Sequence, residues 1–172
     1  MKRIKNLSFF KQDAETLAKK LLGKYLCVKQ NNKIERKKIT ETECYFEFDS
    51  ACHAFKGKTK RNENMFKIGG TIYIYLIYGI YYMLNISSGE EHKAQAVLIR
   101  GVENLIGPGK LTKFFGIDMS FNGENLINSN KIWLEEDLTQ TQINFISKRR
   151  VGIDYATEKD KARLWRFILK DN

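Results

Sequence analysis

Proline is almost missing from this chain, at one residue, and glycine stops at 12, which excludes collagen-like and Pro/Gly-rich disordered classes. Cysteine is scarce as well. Cys27, Cys44 and Cys52 form no C-x-x-C pair, and an odd number of thiols argues against a disulfide framework. Only two histidines, His53 and His92, accompany them, without paired ligand spacing, so no metal and no cofactor is expected. No apolar run approaches the ~20 residues of a membrane span. The most apolar stretch, Ile72 to Leu84, is short and broken by Gly79, so no membrane partner is expected. The start carries Asp13 and Glu15 and no apolar core, so no signal peptide is expected and the expected compartment is the cytoplasm. Repeats and low-complexity linkers are absent. With 42% hydrophobic residues, the 172-residue chain is expected to form one domain, residues 1–172.

What is plentiful is positive charge. Thirty Lys and Arg face 20 Asp and Glu, a net charge of +10, a sign that favours a polyanionic partner. The basic residues cluster at Lys33, Arg36, Lys37 and Lys38, at Lys56, Lys58, Lys60 and Arg61, and at Lys148 to Arg150, with a further group from Lys161 to Lys170. Residues 71 to 90 carry none, yet hold five of the eight tyrosines. Basic clusters around an uncharged aromatic centre suit a protein that grips nucleic acid by its phosphates and meets bases with its middle.

Local patterns predict the elements. Asp13 can cap a helix over residues 13–22, whose stripe is Ala14, Leu17, Ala18, Leu21 and Leu22, with Gly23 placed to end it. Residues 24–30 and 33–45 read as strands joined by Asn31-Asn32, a hairpin turn. Alternation puts Glu41, Glu43 and Tyr45 on one face and Thr42 and Cys44 on the other. Residues 71–87 favour strands, reversed at Tyr78-Gly79. A tyrosine at such a tip has no core of its own to fill. Residues 94–100 read as another strand and 110–115 as a short helix after Gly107-Pro108-Gly109. Residues 131–134, 148–155 and 162–169 read as further strands. The expected fold class is α+β: a single domain with a curved, mostly antiparallel β-sheet flanked by helices, and a protruding β-hairpin.

Gly107-Pro108-Gly109-Lys110 fails as a phosphate loop, since Leu111 follows the lysine and Asn104 stands where the first glycine belongs. It reads instead as a helix start or a structural turn.

An ordered series runs through Glu41-Thr42-Glu43-Cys44-Tyr45, Asp49, Ala51-Cys52-His53-Ala54, Thr59-Lys60-Arg61-Asn62 and Met65-Phe66. It continues with Tyr73-Ile74-Tyr75, Tyr78-Gly79, Asn85 and Ala96 to Arg100. Gly107 to Leu111, Arg150-Val151-Gly152-Ile153 and Trp165-Arg166-Phe167 complete it. In this order and spacing the chain resembles the alkyladenine (3-methyladenine) DNA glycosylase family, bacterial short form, over residues 9 to 167. Cys44 and Gly101 stand where the family usually has alanine, and Leu164 where proline is common.

The resemblance implies a monofunctional DNA glycosylase of base excision repair that flips alkylated, and also deaminated, purines out of duplex DNA. It implies Glu43 as the base that activates water, helped by Arg100, with Tyr45, His53, Tyr75 and Asn85 around the flipped base. Tyr78 would fill the gap left in the duplex, and Lys60, Arg61 and Lys110 would touch the DNA backbone. No lysine falls at a nucleophile position of the match, so no Schiff base and no lyase activity are expected. Glu41 is expected to pair with an arginine rather than to tune Glu43. The expected partner is double-stranded DNA with damaged purines, met by a monomer in the nucleoid-associated cytoplasm. A different class competes: a non-catalytic damaged-DNA or RNA binding protein on the same scaffold.

Overall fold

The computed structural model describes residues 1–139 and 142–170. In chain order its elements are β1 (Lys2–Arg3), α1 (Leu7–Phe10), α2 (Ala14–Leu21), β2 (Tyr25–Gln30), β3 (Lys33–Phe46), β4 (Ile72–Ile77) and β5 (Tyr81–Ser87). There follow β6 (Gln95–Val102), β7 (Leu105–Ile106), α3 (Pro108–Phe114), β8 (Ile132–Glu136), β9 (Phe145–Lys148), α4 (Glu158–Lys161) and β10 (Arg166–Leu169). Short 3-10 turns lie at Glu63–Phe66 and Met119–Phe121.

Turn and cap chemistry explain the well-defined elements. The Asp13 carboxylate accepts from the Thr16 N–H at 3.0 Å, and Ala14, Leu17, Ala18 and Leu21 bury the inner stripe of α2. Asn31 (φ 43°) and Asn32 (φ 65°) occupy the left-handed region, which asparagine tolerates and the tight turn from β2 to β3 requires.

The strands form one sheet in the order β1-β8-β2-β3-β6-β5-β4, with β10 pairing both β3 and β9, and β7 pairing β6; every pair is antiparallel. With its flanking helices this is a single α+β domain. The 14-residue β3 organises it. Its first half pairs β2; its second half lies between β6 and β10. Register with β6 shifts between Ile39 and Thr42, an irregularity just before Glu43. Glu43 therefore sits mid-sheet, fully buried, and not on a solvated edge. The core between sheet and helices includes Phe10, Leu17, Leu21, Leu26, Ile39, Ile74, Leu84 and Phe167.

Two sequence expectations are corrected. Residues 148–155 do not form a strand: β9 ends at Lys148, the Val151 N–H turns to Glu43, and Gly152 (φ 75°) bends the chain. Residues 162–169 are a strand only from Arg166, because Thr157 caps α4 and its helical turn carries the chain through Ala162. Among the described residues no helix is long and apolar enough to cross a membrane.

Candidate functional site

A cavity of about 380 Å³ opens beside the second half of β3. Tyr45, His53, Tyr75, Tyr78, Asn85 and Arg100, all singled out from the sequence, line it together. Its volume falls in the range of small-ligand sites, and its lining mixes aromatic faces with a few polar groups.

Glu43 stands directly behind this lining. Its Oε1 accepts from the Val151 N–H at 2.8 Å and lies 3.5 Å from Arg100 Nε; its Oε2 accepts from the Tyr45 hydroxyl at 2.8 Å. Tyr45, Arg100 and Val151 all line the cavity, so the carboxylate is one contact away from it. Burial raises the Glu43 pKa, against the Arg100 charge, the Val151 and Tyr45 hydrogen bonds and the Arg150 charge. Burial pushes the Tyr45 hydroxyl well up, and the Glu43 charge adds to it, so Tyr45 stays a donor to that carboxylate.

Glu41 has a different environment. Its Oε1 accepts from Arg100 Nε at 3.1 Å and from an Arg166 terminal nitrogen at 3.0 Å. It anchors Arg100 beside Glu43, in keeping with the arginine pairing expected for it.

The opposite wall comes from the loop after β3 and from β4 and β5. His53 Nδ1 and the Tyr73 hydroxyl are 2.9 Å apart, and the His53 ring meets the Tyr75 ring edge-on at 4.4 Å between centroids. Partial burial, with the Arg61 charge, lowers the His53 pKa and keeps the ring neutral at pH 7, while burial pushes Tyr73 up to about 12. The Asn85 amide nitrogen donates to the Tyr73 and Met83 carbonyls at 3.3 and 3.2 Å, which fixes the side chain against the cavity floor.

Tyr78 rises at the β4–β5 tip with 84% of its surface exposed. Arg61 lies with its guanidinium 5.9 Å from the Tyr75 centroid. Lys60 is exposed in the same loop and does not line the cavity. Lys110 lies apart, in a separate depression that it shares with Lys38 and Glu41. The N–H of Lys110 is already taken by the Gly107 carbonyl at 3.1 Å.

Sequence reasoning placed Asp49, Arg150 and Val151 in motifs without a role. Arg150 is fully buried and doubly paired with Asp49, its second bond at 3.0 Å. Burial works against its charge, but Asp49 outweighs burial and the guanidinium pKa is raised. Tyr155, whose hydroxyl donates to the Ala51 carbonyl at 2.9 Å, also lines the cavity; nothing in its neighbourhood of the sequence marks it out. Cys27, Cys44 and Cys52 are free and buried, and among the described residues no three His, Cys, Asp or Glu side chains gather as a metal-holding group.

The methylpurine-DNA glycosylase family model matches residues 8–107 and 104–172. A "Putative 3-methyladenine DNA glycosylase" of Borrelia garinii is 45% identical, covering 95% of each chain. Proteins of the same name are 39% identical in Clostridium perfringens, over 95% of this chain and 94% of theirs, and 41% identical in Legionella pneumophila, over 95% and 93%.

Proposed function

The chain belongs to the methylpurine-DNA glycosylase family, and from that premise we propose that residues 1–172 act as one glycosylase domain that releases alkylated purines from duplex DNA. The observation that carries this reading is a cavity of about 380 Å³ lined by Tyr45, His53 and Tyr75, with the buried Glu43 carboxylate held immediately behind it.

A glycosidic bond inside a duplex is out of reach, so the damaged nucleotide swings out, at a cost of a few kcal/mol. Tyr78 enters the vacated space as a wedge. The base stacks on Tyr45 and Tyr75, with His53 at its edge. Stacking contributes about 1–3 kcal/mol per base, enough to offset much of the flipping cost. Alkylation at a ring nitrogen makes the purine cationic, and a cation between electron-rich rings gains about 0.5–2 kcal/mol more. Asn85, fixed by two backbone carbonyls, obstructs the exocyclic amino group of normal guanine.

Glu43 then acts as general base. Water reaches it between Arg100 and Val151, the two lining residues that share its Oε1. The carboxylate takes the proton, water attacks the sugar, and the positive charge growing on the sugar is favoured by the same carboxylate. A cationic purine departs neutral and needs no acid; a deaminated purine such as hypoxanthine would need protonation on leaving. The release so proposed is hydrolytic, without a Schiff base or strand cleavage. One copy of the chain carries every group named.

The test is base release from a duplex with a single 3-methyladenine or 7-methylguanine, wild type beside Glu43→Gln, with the product checked for strand breaks. Release by wild type, lost in Glu43→Gln while duplex binding persists, is the expected result. Binding without release in both proteins would overturn catalysis and leave a damage-binding protein.

A further inference from the structure

We infer that Arg150 is a positioning residue for the base slot: a column of alternating rings and guanidinium groups, Tyr45, Arg150, Trp165, Arg163 and Phe48, sets the plane of Tyr45 and through its hydroxyl the carboxylate of Glu43. The inference rests on the proposed reading of the cavity as that slot.

The column is continuous. The Arg150 guanidinium lies 4.7 Å from the Tyr45 centroid and 5.1 Å from that of Trp165. Arg163 covers Trp165 at 4.4 Å and reaches Phe48 at 5.8 Å. Both cations are tied down, Arg150 to Asp49 and Arg163 to Asp160 at 2.9 Å. Arg150 also donates to the Cys44 and Asp160 carbonyls at 3.1 and 3.3 Å, so its plane is fixed by β3, by the loop after it and by α4.

Tyr45 lines the cavity, whereas the Arg150 side chain is fully buried and packs against that ring from within the protein. A ring backed only by apolar side chains can tilt; a ring stacked on a guanidinium with fixed acceptors cannot do so freely. Among the described residues Arg150 Nε is buried and has no hydrogen-bond partner. The guanidinium lies between two rings, Tyr45 and Trp165. The Tyr45 hydroxyl, 2.8 Å from Glu43 Oε2, carries that placement to the carboxylate.

Three readouts test the column: single-turnover base release, duplex affinity, and the quenching of an ethenoadenine lesion, whose fluorescence reports stacking between rings. Arg150→Lys keeps the charge and loses the planar fork. It is expected to slow release by about 10- to 100-fold, to weaken the quench, and to leave affinity for undamaged duplex unchanged. Should that variant fail to fold, Trp165→Phe, which keeps a ring in the column, is expected to hold the wild-type quench, and Trp165→Leu to lose it. A folded Arg150→Lys with wild-type rate and quench, a loss confined to duplex affinity, or indistinguishable Trp165 variants would overturn the inference. Wild type that quenches the lesion yet releases no base would instead defeat the catalytic reading, and the quench in the variants would still judge the column.

Discussion

Glu43 is held in a place that disfavours its own charge. Burial raises its pKa above the ordinary 4.5, and Arg100, the Val151 N–H and the Tyr45 hydroxyl offset that only in part. The sign of the linkage follows. A carboxyl with a raised folded pKa stabilises the fold fully below the unfolded value and loses that contribution as pH rises through the folded one. The same ionisation creates the base that the proposed chemistry needs. Release of a cationic purine should therefore rise with pH through a midpoint above 4.5, while the thermal midpoint of Glu43→Gln gains on that of wild type over the same interval. A pH–rate profile and paired melting curves check both; a rate that falls as pH rises through that window would contradict the assignment. At this scale the gathering of Tyr45, His53, Tyr75, Asn85 and Arg100 around one cavity, with Glu43 behind it, matches what the family resemblance implied for their motifs. Arg150 was less legible from sequence. A buried cation declares itself only with its counter-charge, and Asp49 lies 101 residues away in the chain.

The β4–β5 hairpin shows a conflict between a good turn and a useful one. Tyr78 (φ 52°) and Gly79 (φ 69°) both take left-handed backbone in the three-residue connection between Ile77 and Tyr81, where the Ile80 N–H closes the turn on the Ile77 carbonyl. Glycine does so freely; a tyrosine there is strained by about 1–2 kcal/mol, and asparagine would fit with less strain. Below the tip the hairpin is held firmly. A Cβ on Gly109 would come within 2.7 Å of the Tyr81 ring, so only glycine lets α3 press this closely on β5. Tyr78→Asn should thus raise stability by up to about 1 kcal/mol, measured by denaturant unfolding. It should slow base release from paired duplex while sparing release from single strands, where no gap has to be filled. Equal losses on both substrates would show that Tyr78 acts in the slot and not as a wedge. Elements bounded by turn or cap chemistry, namely α2, the β2–β3 hairpin and this one, were legible from sequence because their causes are local. Residues 148–155 were misread as strand because what bends them, the pairing of Arg150 with Asp49 and of Val151 with Glu43, is not local.

Over the whole molecule, the net charge of +10 is not evenly available. Arg100 and Arg166 share Glu41, Arg150 is matched by Asp49, and the Arg3 guanidinium is taken up by the carbonyls of Leu126, Ile127 and Ser129. These arginines organise the interior. Lys56, Lys58, Lys60 and Arg61, on the loop that ends in the cavity wall, are all exposed. On the proposed reading this exposed loop charge, beside the cavity, is what meets the phosphates of a duplex, and phosphate contacts of this kind confer affinity without reading bases. Their signature is salt dependence: if about four phosphates are neutralised, log affinity should fall with log salt at a slope near −4. Lys60→Ala with Arg61→Ala should flatten that slope by about two and weaken binding to damaged and undamaged duplex alike. Fluorescence anisotropy across a salt series on both duplexes would measure it. Arg61 offers the sharper outcome, since its guanidinium also lies 5.9 Å from the Tyr75 centroid. If the double variant lost preference for the lesion as well as affinity, Arg61 would belong to the slot; if preference survived with a flatter slope, the loop holds the phosphates while the rings behind it choose the base.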